Sequence, residues 1–396
     1  MIFDRPNDYM VTHYRNTISL FSNILTVVII LSIAGRLYYL AQPVSKLFAK
    51  TYEHELFEKA YLSSQYIQEV NPGVIPDETL YSYAAGNYLY GGNPILVNPE
   101  TPPLGKYFIS LSIVLFTNTL MSVYFFFCLM LLSVFMLAKL VIHNVLFASS
   151  IILLLLVEPL IISQLEYAPL LDIFQLPFII FSLYFFIKWI SCNERKDYLL
   201  YLFGLSLCIG IVVSVKFFIT GLVLCITYFI YLTLQRKFKN LIVFSVAAGI
   251  GTYAVLTISY LRTLINNPDP LSVLKIQKWI LWYNSSKLTT FFTIWPLIYL
   301  NQWHTWWGTN AVIRDDMWWI GWPTVFTGSF ISTLFTFIKD QKDSVKLLML
   351  WFLLYAVLLS ISQASSRYIL SILPVAYILT GYTVVTTFSR INFNRK

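Results

Sequence analysis

The chain has 396 residues, of which 58% are hydrophobic, 17% aromatic and only 12% charged. Soluble domains carry about 25% charged residues, so this composition excludes an ordinary soluble protein and indicates a chain embedded in lipid. The net charge of +8 does not indicate nucleic-acid binding, because the basic residues stand at alternate ends of the apolar stretches, a distribution typical of membrane topology.

Apolar stretches of roughly 20 residues, the length that crosses a bilayer, recur from one end of the chain to the other. There are about ten of them, near residues 17–40, 119–140, 144–165, 172–191, 198–215, 217–234, 241–261, 317–338, 346–363 and 368–388. They predict an all-α polytopic membrane protein that forms a single domain over residues 1–396. The alternating basic ends place both termini in the cytoplasm, and we interpret the first stretch as an uncleaved helix.

The first long connection, residues 41–118, has more acidic than basic residues and is predicted to lie outside the cytoplasm. Residues 46–68 mix apolar and charged side chains in a pattern typical of an amphipathic helix on the membrane surface. A second helix is expected from Asp77 to Gly91-Gly92, because Asp is a good N-cap and Gly a good helix end. Residues 107–116 are apolar but too short to span, which predicts a half-embedded helix.

Asp77 and Glu78 are the first candidate catalytic residues. Paired carboxylates at the water face of a polytopic protein suit acid–base chemistry at the bilayer surface. The plainer interpretation is that Asp77 caps the helix and Glu78 favours its positive N-terminus. The two interpretations are compatible, because a capped helix start holds a carboxylate rigidly toward a substrate.

Two further carboxylates lie in or beside the predicted spans. Glu158 is inside the apolar run 153–159, where a charge costs about 2.5–3.5 kcal/mol and therefore usually faces an interior cavity. It is predicted either to line the site or to stay protonated. Asp172 opens the fourth span on the same outer face as Asp77. Capping is the plainer interpretation, and convergence of both Asp carboxylates on one aqueous cavity is the functional one.

Three cations are candidates for binding an anionic group at the outer face. Lys216 marks the tight turn between the fifth and sixth spans, and Arg367 stands at the start of the last span. A cation on the outer face runs against the positive-inside rule, so an anionic partner is expected, with a snorkelling surface side chain as the alternative. Lys106, directly before the second span, is the third and weaker candidate.

The second long connection, residues 262–316, is rich in tryptophan. Its end and the residues just beyond hold Trp303, Trp306, Trp307, Trp318, Trp319 and Trp322. The structural interpretation is an interfacial aromatic belt. The functional interpretation is that the indoles stack against a sugar or a polyprenyl chain. The histidines are scattered without metal-ligand spacing, so they predict no metal site.

Several short motifs, each weak alone, follow one another along the chain. They are Asp77-Glu78, Pro102-Pro103-Leu104-Gly105-Lys106, Leu170-Leu171-Asp172, Ser214-Val215-Lys216-Phe217-Phe218, Trp295-Pro296-Leu297 and Arg367-Tyr368-Ile369-Leu370. This ordered set resembles the protein O-mannosyltransferase family, within the GT-C class of membrane glycosyltransferases, over most of the chain. Thr101 stands where the family has His, and Tyr167 where it has Arg. The large sugar-binding insertion of eukaryotic members is absent, so prokaryotic relatives are more similar.

The resemblance implies a GT-C-like bundle and an enzyme that moves a sugar, expected to be a mannose-like hexose. The donor would be a polyprenyl or dolichyl monophosphate sugar, and the acceptor a hydroxyl group on protein or lipid. Transfer would take place by inverting displacement on the extracytoplasmic face of the plasma membrane, or on the lumenal face of the endoplasmic reticulum in a eukaryote.

The resemblance also suggests roles for the candidate residues. Asp77 is expected to be the base, and Glu78 and Asp172 to orient it or to bind sugar and acceptor groups. Lys216 and Arg367 are the candidates for binding the donor phosphate. The predicted substrate-binding set is Asp172, Lys216, Arg367, Lys106 and Glu158.

No cofactor is predicted with certainty, although three outer carboxylates are enough to hold a divalent cation. The predicted partners are the lipid-linked donor, the acceptor and the bilayer, without nucleic acid. The alternatives are a GT-C oligosaccharide ligase and a non-catalytic transporter or flippase of lipid-linked sugar. A transporter predicts inverted repeats and charges near the midplane, whereas no repeat is visible and the charged candidates other than Glu158 cluster at one face.

Overall fold

The computed structural model describes residues 8–70, 73–216, 218–266, 268–269, 271–285, 291–304, 311–338 and 342–393. This part of the chain is helical apart from one short antiparallel strand pair, which confirms the predicted all-α class. The helices are α1 (Asp8–Phe48), α2 (His54–Leu62), α3 (Asp77–Leu89), α4 (Leu104–Phe116), α5 (Met121–Ile142), α6 (Val145–Leu155), α7 (Pro159–Glu166), α8 (Leu171–Ile190), α9 (Arg195–Val215), α10 (Phe218–Leu234), α11 (Phe238–Ser259), α12 (Leu261–Asn266), α13 (Ser272–Ser285), α14 (Ile294–Leu300), α15 (Gly321–Ile338), α16 (Asp343–Ile361), α17 (Ser366–Ile369) and α18 (Leu373–Phe393). The strands are β1 (Trp303–His304) and β2 (Val312–Ile313).

Six of the described helices are long and apolar enough to cross a membrane singly: α1 over Phe21–Gln42, α5, α8, α9, α11 and α16. A seventh span arises if α6 and α7, which meet at 56°, are taken together. The other three predicted spans form α10, α15 and α18, which are shorter or less apolar. The chain is therefore an integral, multi-pass membrane protein, as its composition predicts.

The predicted span over residues 144–165 is not one straight helix. Proline has no backbone N–H, and its ring excludes the carbonyl four residues earlier, so Pro159 begins a new helix at an angle. The break exposes backbone acceptors inside the bundle. Arg36 of α1 meets one of them, donating from Nε to the carbonyl of Leu156 at 3.1 Å. Glu158 stands in the corner between α6 and α7.

The spans differ in how deeply they are packed. In the 18-residue apolar segment of each helix, 67% of the residues of α8 are buried, against 17% in α11 and none in α1. Large side chains such as Phe174, Phe186 and Trp189 are completely buried on α8, which packs between α5 and α9. The α8 helix is thus the centre of the bundle, and α1 and α11 turn most of their surface outward.

The amphipathic helix predicted over residues 46–68 is divided in the structure. Helix α1 continues to Phe48, and α2 covers only His54–Leu62. The helices α3 and α4 follow as expected, with α3 ending before Gly91, whose φ of +98° is a conformation that glycine adopts without strain. The rings of Tyr61 and Tyr83 stack at 4.5 Å between centroids, so α2 and α3 share a small separate core.

The two long connections are joined to each other. Arg262 of α12 donates to the carbonyl of Tyr88, and Thr263 Oγ1 donates to Asn93 Oδ1 at 2.7 Å. These contacts fix the second connection, which carries α12, α13, α14 and the strand pair, onto the exit of α3. Of the predicted aromatic group, Trp306 and Trp307 lie outside the described residues.

Candidate active site

Asp77 is the first helical residue of α3, and Pro76 is the N-cap. The capping role predicted for Asp77 is therefore wrong: the fixed φ of proline starts the helix, and no side chain caps it. The carboxylate points elsewhere, because Asp77 Oδ2 accepts a hydrogen bond from Arg367 Nη1 at 2.6 Å. The helix start thus presents Asp77 to a residue that is distant in sequence.

Asp172 lies in the first turn of α8, and both of its oxygens are bound by cations. Oδ1 accepts from Lys216 Nζ, and Oδ2 accepts from Arg367 Nη2 at 2.8 Å and Nε at 3.2 Å. The side chain is only 8% exposed. Because a buried carboxylate must be paired, Asp172 serves as the anchor that holds Lys216 and Arg367.

These four residues form what we call the charge cluster: Asp77, Asp172, Lys216 and Arg367. Its formal charge is zero, and exposure rises from Asp172 at 8% through Lys216 at 16% and Arg367 at 28% to Asp77 at 45%. Burial opposes the charge on Arg367, but the carboxylates of Asp172 and Asp77 outweigh it and raise the pKa of the guanidinium. Arg367 is therefore a permanent cation that bridges two carboxylates.

A cleft of about 260 Å³ opens beside the charge cluster. Asp77, Glu78 and Arg367 contribute charged groups to its lining. The remaining lining residues are Leu160, Ser163, Gln164, Tyr167, Leu170, Met317 and Ser366. A small cleft with several convergent polar groups is the usual form of a substrate site, and most of the uncharged lining comes from α7 and the segment that follows it.

Glu158 is fully buried and is not among the residues that line the cleft. Its Oε2 accepts from Trp319 Nε1 at 2.7 Å and from the Tyr377 hydroxyl at 2.6 Å, and its Oε1 accepts from Trp322 Nε1 at 2.8 Å. The carboxylate therefore ties the bend between α6 and α7 to α15 and α18. Its predicted substrate-binding role has no supporting contact in the described chain.

Lys106 is also fully buried and lies in the first turns of α4. Its ammonium group donates to the carbonyls of Asn98 at 2.7 Å and Thr101 at 3.0 Å. Burial lowers the pKa of Lys106 to about 7, against the opposing attraction of Glu100. These bonds hold the loop before α4, and Lys106 is not among the residues that line the cleft.

Asp172 is not placed to bind a divalent cation. Both oxygens of Asp172 are bound to Lys216 and Arg367. Within the ranges that the structure describes, no group of three or more His, Cys, Asp or Glu side chains is placed to hold a metal ion. No step of the chemistry below passes through a metal.

Sequence reasoning missed several polar residues at the site. Tyr368 lies 5.7 Å from Lys216 Nζ, measured to the ring centre. Ser163, Gln164 and Ser366 line the cleft. A usable signal exists for two of them, because Ser163-Gln164 interrupts an otherwise apolar stretch directly before the outer end of a span.

The four described tryptophans of the predicted aromatic group donate their indole N–H groups to protein acceptors. Trp303 Nε1 donates to the carbonyl of Ala364 at 2.8 Å, and Trp318 Nε1 to that of Ile298 at 2.9 Å. Trp319 and Trp322 bind Glu158. These four residues therefore hold α14, α15 and the approach to α17 together.

No protein-family model and no curated protein matches this chain. Solved structures do match it. ArnT from Cupriavidus metallidurans in the apo state aligns with a TM-score of 0.57 and 15% identity, over 78% of this chain and 54% of ArnT. The same protein bound to undecaprenyl phosphate aligns with a TM-score of 0.58 and 17% identity, over 83% of this chain and 59% of ArnT.

The chain therefore spans less than two thirds of the length of the ArnT chains that it matches. At this identity the likeness concerns the fold. The GT-C-like helical bundle predicted from the sequence is confirmed, and the chain has the all-α membrane fold of the ArnT structures.

Proposed function

We propose that this protein is a glycosyltransferase that takes a sugar from a polyprenyl monophosphate carrier and delivers it to a hydroxyl acceptor. The observation that carries the proposal is the charge cluster, in which one guanidinium joins carboxylates from two different helix starts beside a cleft. The fold shared with ArnT, one structure of which holds undecaprenyl phosphate, supports a lipid-linked donor.

Asp77 is the proposed general base. Its Oδ2 is bound to Arg367, whereas Oδ1 makes no hydrogen bond within the described residues and the side chain is 45% exposed. The free oxygen takes the proton of the acceptor hydroxyl as the acceptor oxygen bonds to the anomeric carbon of the sugar. Glu78, which lines the same cleft, is proposed to orient the acceptor.

Lys216 and Arg367 are proposed to bind the phosphate of the donor. As the bond from the anomeric carbon to the phosphate oxygen breaks, the oxygen keeps the electron pair and negative charge grows on the polyprenyl phosphate. Fixed cations in a partly buried site stabilise such a charge far more than they would in water. Asp172 keeps both cations in position, and attack from the side opposite the leaving group inverts the anomeric configuration.

The cleft volume favours transfer of a single sugar. Small-molecule sites usually measure about 300–1,000 Å³, and this cleft, at about 260 Å³, suits one ring rather than an oligosaccharide. This disfavours the ligase alternative. The buried Glu158 at a broken span is the feature that most resembles a transporter, but three protein donors already bind its carboxylate.

We further propose a mannose-like hexose as the sugar and the extracytoplasmic side as the site of transfer, with both termini in the cytoplasm. In this proposal residues 1–396 form one membrane domain, and residues 41–118 and 262–316 cover the site from outside. The contacts of Arg262 and Thr263 with α3 and its exit support such a joint cover.

The test is mass spectrometry of products after incubation of the purified protein with isotope-labelled polyprenyl-phosphate sugars and a membrane extract as the acceptor source. We expect wild type to release free polyprenyl phosphate and to label one acceptor class, and Asp77→Asn to remove both products. Asp269→Asn is the matched control, because Asp269 pairs with Lys275 outside the cleft. Turnover by Asp77→Asn equal to that of wild type would exclude Asp77 as the base.

A further inference from the structure

Gln164 is a buried residue of the cleft lining with an unused hydrogen-bonding group. It is 1% exposed, and its Oε1 has no hydrogen-bond partner among the described residues. Its Nε2 makes only a long contact of 3.5 Å to Ser163 Oγ, a hydroxyl that already donates to the carbonyl of Leu160 at 2.8 Å. Buried amide oxygens in native proteins are nearly always paired, so the position points to a ligand atom, which the amide would meet by turning toward the cleft that the residue lines.

The amide also indicates which ligand group it would bind. A primary amide is uncharged and has an acceptor oxygen beside two N–H donors. A hydroxyl group, which both donates and accepts, uses such an amide fully, whereas the phosphate is proposed to pair with the cations of the charge cluster, of which Arg367 lines the cleft. The cleft thus has a charged side and a neutral polar side.

The surroundings of Gln164 suit a sugar ring. Leu160, one helical turn before Gln164 on α7, lines the same cleft, and Tyr167, Leu170 and Met317 complete the less polar part of the lining. Apolar side chains pack against the C–H groups of a pyranose, while the ring hydroxyls need polar partners at fixed positions. Gln164 supplies such a partner from a rigid helix.

We infer that Gln164 binds one ring hydroxyl of the transferred sugar and so determines which sugar the protein accepts. This inference rests on the proposed glycosyl transfer. It assigns the hydroxyl to the donor sugar rather than to the acceptor, because Gln164 lies one helical turn from Leu160, an apolar lining residue that fits the ring.

The experiment compares wild type with Gln164→Met, a substitution of similar length that removes the amide. Initial rates are measured for the full chain in lipid nanodiscs with a polyprenyl-phosphate hexose and with analogues that each lack one ring hydroxyl. In wild type, loss of the hydroxyl that Gln164 binds is expected to lower kcat/KM about 10- to 100-fold. Gln164→Met should show a similar loss with the parent donor and no further loss with that analogue.

Two further variants serve as controls. Gln277 also has an unpaired buried amide oxygen, but it lies on α13 outside the cleft, so Gln277→Met should keep the wild-type preference. Gln164→Glu has a side chain of the same length, keeps an acceptor oxygen and should retain the preference for the same hydroxyl. This variant tests the inference if Gln164→Met does not fold.

A Gln164→Met protein that keeps the full wild-type discrimination among the analogues overturns the inference. So does a change confined to the KM of the acceptor, or loss of the preference in a folded Gln164→Glu protein. Absence of transfer from any labelled donor by wild type is a different result, which overturns the proposed function and the inference together.

Discussion

Replacing Arg367 by lysine separates the charge of this residue from its geometry. The guanidinium binds Asp77 through Nη1 and Asp172 through Nη2 and Nε. A lysine ammonium keeps the positive charge but is a single point donor on a flexible stem. It can pair with one of the two carboxylates and cannot hold both in a fixed plane.

The cost can be worked out from the two ion pairs. Asp77 is 45% exposed, and such a pair contributes less than about 1 kcal/mol to folding. Asp172 is 8% exposed, but it keeps its ion pair with Lys216 when Arg367 is replaced. Breaking the Arg367–Asp172 pair should therefore cost less than the roughly 3–5 kcal/mol of a buried pair whose remaining partner is left alone. We expect Arg367→Lys to destabilise the fold by about 1–3 kcal/mol and to lower kcat about 100- to 1,000-fold.

Thermal unfolding in detergent and transfer from a polyprenyl-phosphate sugar measure the two effects separately. Arg195→Lys is the matched control, because Arg195 is exposed at the end of α9 opposite Lys216. A folded Arg367→Lys protein with more than about one tenth of the wild-type kcat would refute the role of the bridged geometry.

Three further predictions concern the other charged residues. Lys216→Ala should raise the KM for the lipid-linked donor more than that for the acceptor, and an unchanged donor KM would contradict phosphate binding. Glu158→Gln should lower the free energy of unfolding by about 1–3 kcal/mol with an unchanged donor KM, because an amide N–H₂ cannot accept from the indole it would face. Lys106, with its pKa lowered to about 7, binds fewer protons folded than unfolded above that pH, so stability should rise by about 2 kcal/mol between pH 7 and pH 9. Lys106→Met should remove this rise, which thermal unfolding at both pH values measures.

The positions of the charged residues were predictable because a bilayer leaves few choices. Basic residues at alternate span ends order the connections into two sides, so Asp77 and Asp172 were expected at the same end of the bundle. The structure brings them to one guanidinium. Lys216 and Arg367 stood out for the same reason, as cations on the side that the sequence predicts to be extracytoplasmic, where the positive-inside rule disfavours them.

The partners of individual groups could not be predicted, because they depend on side-chain packing between distant helices. The indoles that bind Glu158 belong to Trp322 on α15 and to Trp319 just before it, more than 150 positions away. The carbonyls that hold Lys106 lie in a loop whose shape no motif specifies. Asp77 failed as a cap because Pro76 had already fixed the helix start, a local effect that the residue types alone leave ambiguous.

The guanidinium of Arg367 joins positions that lie 290 and 195 residues earlier in the chain. Ribosomes make the N-terminal end first, so both aspartates are synthesised and threaded into the bilayer long before their shared cation exists. During that interval Asp172 has Lys216 as its only counter-charge from the cluster. The site thus closes only when the last stretch of the protein is inserted, and a chain cut short before position 367 would hold every carboxylate of the site without the bridge between them.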